Sequence, residues 1–184
     1  IVNLKRIAGM CKAQGAFSLT NIVNEDGQVI DQWVHLGGAM YRIGDMGLTA
    51  YTLARMAGVK EQDTEKYIIE DKSSEQLDWM RDYPKSREDQ DAAKATVGLL
   101  IGSREIQFYR TREELLPINT EYLAPLDTEQ NCYIRLMGDE PVLAVKEGMY
   151  IAAVIGPYDV FGEKDGIKLP ELKKAFEAEK NIWR

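Results

Sequence analysis

The constraint that acts most strongly on this 184-residue chain is the dipeptide Asp26-Gly27, set between two runs of alternating apolar and polar residues. Asp-Gly at the two central positions of a type I′ turn pairs Glu25 with Gln28 and folds Ala16 to Val23 back on Val29 to Leu36. Counting outward sets Val23 opposite Ile30, Leu19 opposite Val34 and Phe17 opposite Leu36, on one face. Ser18, Thr20, Asp31, Trp33 and His35 share the other. Gly37-Gly38 makes a second two-residue turn into Ala39 to Ile43, with Tyr41 against Val34 and Arg42 against Trp33. The outcome is a three-stranded meander with one core face.

Helices bracket it. Leu4, Ile7, Ala8 and Cys11 fall on one stripe of a helix over Val2 to Gln14, and Gly15 follows as its C′ residue. A short helix is expected within Gly47 to Gly58, on the spacing of Leu48, Thr52, Arg55 and Met56. After residue 95 the reading is β: Thr96 to Ile101 and Arg104 to Tyr109 flank Gly102-Ser103, pairing Leu99 with Ile106 and Val97 with Phe108. Glu113 to Ile118 is a strand whose Pro117 marks an edge or an end. Asn119 caps a single turn over Thr120 to Leu123. Cys132 to Met137, Pro141 to Val145 and Met149 to Ile155 are three more strands, with Lys146-Glu147-Gly148 as a three-residue hairpin. Pro170 to Asn181 reads as a final amphipathic helix along Leu172, Ala175 and Phe176.

Charge divides the chain into three. Lys60 to Asp91 holds 11 acids and 6 bases, and so carries −5 of the total −7. The expected organisation is therefore 1–59, helix, meander and short helix; 60–95, an acidic connection; and 96–184, a β-rich half with a terminal helix, all within one compact domain or several. Leu77, Trp79, Met80 and Tyr83 would dock the connection, and Tyr67 to Ile69 would add a short strand. The fold class is α+β, mostly antiparallel sheet with amphipathic helices near both termini.

The sequence lacks the Walker, dinucleotide-binding, nucleophile-elbow, zincin and CxxC motifs. One His and two Cys supply neither a common zinc site nor a disulfide scaffold, so no metal and no cofactor is expected. Cys11 and Cys132 read as small buried hydrophobes, and the absence of a long apolar run argues for a cytoplasmic protein without a membrane contact. The acid pairs Glu70-Asp71 and Asp89-Asp91 read as solvated charge before they read as Mg²⁺ ligands.

Three groups of residues carry chemistry. Lys5, Arg6 and Lys12 precede the first acid, Glu25, and with Arg55 make a candidate phosphate-contacting surface, or else are solvated bases of amphipathic helices. Trp33, Met40 and Arg42 form a candidate partner-binding spot, with a Trp33–Arg42 cation–π pair, or the seat of the acidic connection. Asp31 and His35 flank Trp33 on the same face, where Asp31 could orient His35 as a general base in a small hydrolase.

The segments NLKRIA (Asn3 to Ala8), DQWVHLGGAMYRI (Asp31 to Ile43) and EPVLAVKEGMYIAAVIGP (Glu140 to Pro157) resemble a family of phage and mobile-element proteins of gut Firmicutes. That resemblance implies a bacterial or phage origin and no particular activity. A basic first helix leading into a hairpin, a short helix with Arg55, and a late strand pair ending in Gly156-Pro157 also resemble DNA sliding clamps. This second resemblance implies self-association into a ring, with Lys5, Arg6, Lys12 and Arg55 making mobile phosphate contacts. The expected function is thus a non-catalytic binding or assembly protein acting on DNA, with a protein-only interaction module and a His35 hydrolase as the alternatives.

Overall fold

The structure, a computed structural model, describes residues 2–74, 89–112, 114–126 and 131–160. It is α+β and mostly antiparallel. Helix α1 spans Leu4–Gln14: the Asn3 side chain accepts from the Arg6 N–H, and Gly15 ends the helix in the left-handed region with its N–H on the Cys11 carbonyl. The expected stripe is buried at Ile7, Ala8 and Cys11, joined by Met10, while Leu4 is only half buried. The final helix and the aromatic docking residues of the acidic connection lie outside the described residues.

Strands β1 (Ala16–Val23), β2 (Val29–Leu36) and β3 (Ala39–Arg42) form the meander. Its first turn is not type I′, because among the described residues none other than glycine has a positive φ and Asp26 would need one. The Asn24 carboxamide oxygen instead accepts from the N–H groups of Asp26 (3.1 Å) and Gln28 (2.8 Å). The Gly27 N–H then closes on the Asn24 carbonyl at 2.9 Å, leaving a three-residue loop with Gly27 at φ 76°. This loop shifts the pairing to Val23 with Val29, and a bulge that leaves out Ile30, 51% exposed, shifts it back. From Ile22–Asp31 to Ser18–His35 the register is the one counted from the sequence, reached through two offsetting irregularities.

The second turn is as expected, with Leu36 on Ala39 and Trp33 on Arg42. Gly37 sits at φ 52°, and a Cβ there would lie 2.5 Å from the Tyr122 hydroxyl. That hydroxyl accepts from Gln14 Nε2 (3.2 Å) and the Gly38 N–H (3.4 Å), while Tyr41 Oη donates to the Tyr122 carbonyl (2.7 Å). One tyrosine thus holds α1, the turn and β3 together.

Among the described residues the main sheet has eight strands, in the order β4-β1-β2-β3-β11-β10-β9-β5. Here β4 is Ile68–Ser74, β5 Gln90–Asp91, β9 Asn131–Met137, β10 Glu140–Glu147 and β11 Tyr150–Ile155. Strands from all three stretches of the sequence meet in it. β4 lies parallel to β1 and extends well past the expected Tyr67 to Ile69. The late meander joins the early one through β3 and β11, which pair Tyr41 with Ala153. The turn between β10 and β11 has two residues rather than three: Glu147 pairs with Tyr150 across Gly148 and Met149, and a bulge after Val145 absorbs the difference.

A second sheet contains β6 (Ala93–Ile101), β7 (Arg104–Arg110) and β8 (Leu115–Asn119), with Pro117 on its edge strand β8. Leu99 pairs with Ile106 as expected, but the register slips between Lys94 and Gly98, so Val97 does not oppose Phe108. The buried Gln107 carboxamide bridges the slipped stretch, donating to the carbonyls of Ala95 (2.8 Å), Phe108 (3.2 Å) and Val97 (3.4 Å). Asn119 caps the 3₁₀ turn Thr120–Leu123, as its sequence position suggests.

The core follows from one continuous row across six strands of the main sheet: Leu19, Val34, Tyr41, Ala153, Val145 and Cys132. α1 and α2 (Ala50–Met56) pack with this face, together with Tyr109, Leu116 and Ile118 of the second sheet. α2 buries Ala50, Leu53 and Ala54, not the expected stripe. Thr52 is taken by a capping box with Thr49, and Arg55 and Met56 face solvent.

Candidate functional site

The first candidate surface is the helical layer. α1 and α2 pack against each other on the sheet and carry Lys5, Arg6, Lys12 and Arg55, while neither contains an acidic residue. All four bases are exposed. The layer is thus locally cationic in a protein of net charge −7. Lys12 Nζ lies 3.8 Å from where a Gly58 Cβ would sit, which places it just past the C-terminal end of α2. Arg6 differs from the others, since its guanidinium donates to the Ala124 carbonyl at 2.6 Å and ties the start of α1 to the end of the 3₁₀ turn. Its job is in part structural.

The second candidate surface is the opposite sheet face, where Trp33, Met40 and Arg42 were expected to offer an apolar spot. Trp33 is 1% exposed and clusters with Ile22, Val142, Ile151 and Val154, so the indole is core rather than surface. Arg42 does lie across from Trp33, yet its Nε meets Asp31 Oδ2 at 2.7 Å and its guanidinium stacks 4.8 Å from the centre of the Tyr150 ring. Trp33 Nε1 also donates to Asp31 Oδ2, at 3.3 Å. The Asp31 carboxylate therefore serves Arg42 and Trp33. His35 is exposed, and its imidazole is lowered below the usual histidine range by partial desolvation first and by Lys72 second.

A cleft of about 400 Å³ opens where these strands end, between Arg42, Ile43 and Gly44 on one side and Glu147, Tyr150 and Ala152 on the other. Tyr150, the first residue of β11, and the loop residues Met149 and Met46 are each more than half exposed. The cleft is not legible in the sequence, because it depends on β3 pairing with β11 more than 100 residues away.

A third cluster was also missed. Asp89, just before β5, accepts from Arg135 Nε (2.7 Å) and Nη2 (2.6 Å), and Lys146 Nζ lies 3.8 Å from the same carboxylate. Lys146 also sits 4.8 Å from the centre of the Tyr133 ring. Asp89 and Arg135 are both buried. The acid pairs considered as ion ligands are thus engaged elsewhere: Asp89 with Arg135, Glu70 with Lys72 at 3.0 Å, and Asp71 with the Ala50 N–H at 2.8 Å. Among the described residues no group of three or more His, Cys, Asp or Glu is placed to hold a metal ion. Among them, too, no helix is long and apolar enough to cross a membrane.

The two thiols are poor nucleophiles. Burial pushes Cys11 up to about 12 and Cys132 up to about 11, from an ordinary 9.0. A folded value above the unfolded one contributes stability that is whole below about pH 9 and is lost as pH rises through 11 to 12. The urea midpoint should therefore hold between pH 7 and 9 and fall above it, and a Cys11→Ala/Cys132→Ala variant should show a shallower alkaline fall. Iodoacetamide at pH 8 should label both cysteines only after denaturation; fast labelling of the native protein would contradict the burial argument.

No family model matches the chain, and neither a curated protein nor a solved structure aligns with it significantly.

Proposed function

We propose that this is a non-catalytic binding protein that contacts nucleic-acid phosphates through the α1–α2 layer. The observation that carries the reading is charge segregation: two helices packed side by side that carry four exposed bases and no acidic residue of their own, with the Asp71 carboxylate of β4 accepting from the Ala50 N–H at the start of α2. Association with a polyanion responds to the local field more than to the net charge, and contacts made to phosphates alone are independent of sequence. Lys5, Lys12 and Arg55 are the residues to test, because Arg6 also supports the fold. Binding of a mixed-sequence duplex, followed by fluorescence anisotropy, should weaken steeply with salt. The Lys5→Glu/Lys12→Glu/Arg55→Glu variant should lose binding at low salt, and the corresponding Ala variant should flatten the slope of log K against log salt by roughly 2.7, at about 0.9 per contact. Equal binding by wild type and variants, or no binding by wild type at low salt, would count against this function.

A second reading is favoured by the cleft: a protein partner would meet Tyr150, Met149 and Arg42 there, rather than the buried Trp33. It expects Tyr150→Ala to leave the fold intact and to remove a partner retained from a host extract. A retained set that does not change would sink it.

A further inference from the structure

We propose that β4 is a self-association edge, along which two copies of the protein pair antiparallel about Asp71 and join their main sheets into one. The Ile68 N–H donates to the Gly15 carbonyl at 2.9 Å, which turns the backbone of Ile68, Glu70, Lys72 and Ser74 toward β1. In a parallel ladder the alternate residues then point away, so Ile69, Asp71 and Ser73 direct their N–H and C=O groups to the outer edge. Glu70, Asp71, Lys72 and Ser73 are exposed.

The two ends of the sheet are treated differently. At the far end β5 has two residues, a length too short to template another strand. At the near end β4 has seven, with no proline and no break in its register with β1. Among the described residues no strand pairs with the outer side of β4, and an edge of that kind favours pairing unless its charges repel; here they are self-complementary. Antiparallel pairing centred on Asp71 sets Glu70 opposite the partner's Lys72 and Lys72 opposite the partner's Glu70. It also brings all three outward residues into register, Ile69 with the partner's Ser73, Asp71 with the partner's Asp71, and Ser73 with the partner's Ile69. Shifting by two in either direction leaves fewer backbone pairs and sets Glu70 against the partner's Glu70, or Lys72 against the partner's Lys72.

The centred register has one unfavourable pair, Asp71 with its own copy, on the side of the sheet where each carboxylate accepts from the Ala50 N–H. Exposed ion pairs are weak and screened by salt, so the dimer should depend on concentration and loosen as salt rises. A two-fold axis normal to the sheet keeps the α1–α2 layers of both copies on one side, doubling the cationic surface. The dimer does not rest on nucleic-acid binding and is measured without it.

Sedimentation equilibrium at low salt should show wild type associating to a dimer by about 100 µM. Lys72→Glu should weaken the dimer tenfold or more, Glu70→Lys/Lys72→Glu should restore it, and Asp71→Asn, which keeps an acceptor for Ala50, should tighten it several-fold. Circular dichroism controls the fold of each variant. Hydrogen exchange at the amides of Ile69, Asp71 and Ser73 should slow on association. A strict monomer, a dimer indifferent to Lys72→Glu, a charge swap that fails to restore pairing, or amides that stay unprotected would each overturn the proposal.

Discussion

Asp89→Asn should destabilise the protein by about 3 kcal/mol, seen as a lower urea midpoint and a melting temperature lower by roughly 6–12 °C. The Asp89 side chain is fully enclosed and receives two hydrogen bonds from Arg135, whose side chain is 6% exposed. A bidentate guanidinium–carboxylate pair of this kind offsets much of its own desolvation, and Lys146 at 3.8 Å draws on the same carboxylate. Neutralising Asp89 leaves two buried cations facing an amide, which keeps a single acceptor oxygen, turns an NH₂ donor toward them and carries no charge. That mechanism, an uncompensated buried charge, produces the large losses; the gain from making the pair in the first place is much smaller. The double variant Asp89→Asn/Arg135→Met should therefore recover part of the loss. If the single variant melted with wild type, the pair would have to be solvated in solution.

Gln32→Leu should cost about 3 kcal/mol, although it exchanges one side chain for an apolar one of similar size in a fully buried strand position. Gln32 is 1% exposed. Its Nε2 donates to Asn21 Oδ1 (2.7 Å) and the Leu48 carbonyl (2.8 Å), and its Oε1 accepts from the N–H groups of Met46 and Leu48, both at 3.1 Å. One carboxamide thereby fastens the loop between β3 and α2 onto β2. Leucine would pack there but would leave all four groups without these partners, each at a cost of about 1–3 kcal/mol before the loop relaxes into water. Exchange at the Met46 and Leu48 amides should accelerate far more than exchange in β1. Unchanged protection at those two amides would mean that the loop is held by its packing instead.

Much of the local structure was legible in the sequence. Gly15 and Asn119 each end or start an element where their chemistry suggests, and the Gly37-Gly38 and Gly102-Ser103 turns pair the neighbours counted from them; α1 starts at Leu4 rather than Val2, because Asn3 caps it. The Asp26-Gly27 turn shows how such counting can succeed for an incomplete reason. Asn24 moves the start of the turn, and the bulge at Ile30 restores the register because the apolar faces of β1 and β2 must meet. The helical bases were legible as charges, and the fold then brought Lys12 to the end of α2, while giving Arg6 a carbonyl to hold. That Trp33 is buried was not legible, because strand alternation tells which residues share a face, and not which faces are covered.

What the sequence determined by itself is therefore local: turns, caps, and the alternation that divides each strand into two faces. These depend on residues a few positions apart, whose geometry is set by backbone sterics and short hydrogen bonds. Only the tertiary structure decided that β3 adjoins β11, that Asp89 meets Arg135, and that the acidic stretch supplies β4 as a parallel edge. Those pairings close long loops, and many strands of similar pattern could compete for them. They are chosen by which arrangement completes the buried row from Leu19 to Cys132 while giving each enclosed polar group a partner, a condition on the whole chain that no single segment expresses.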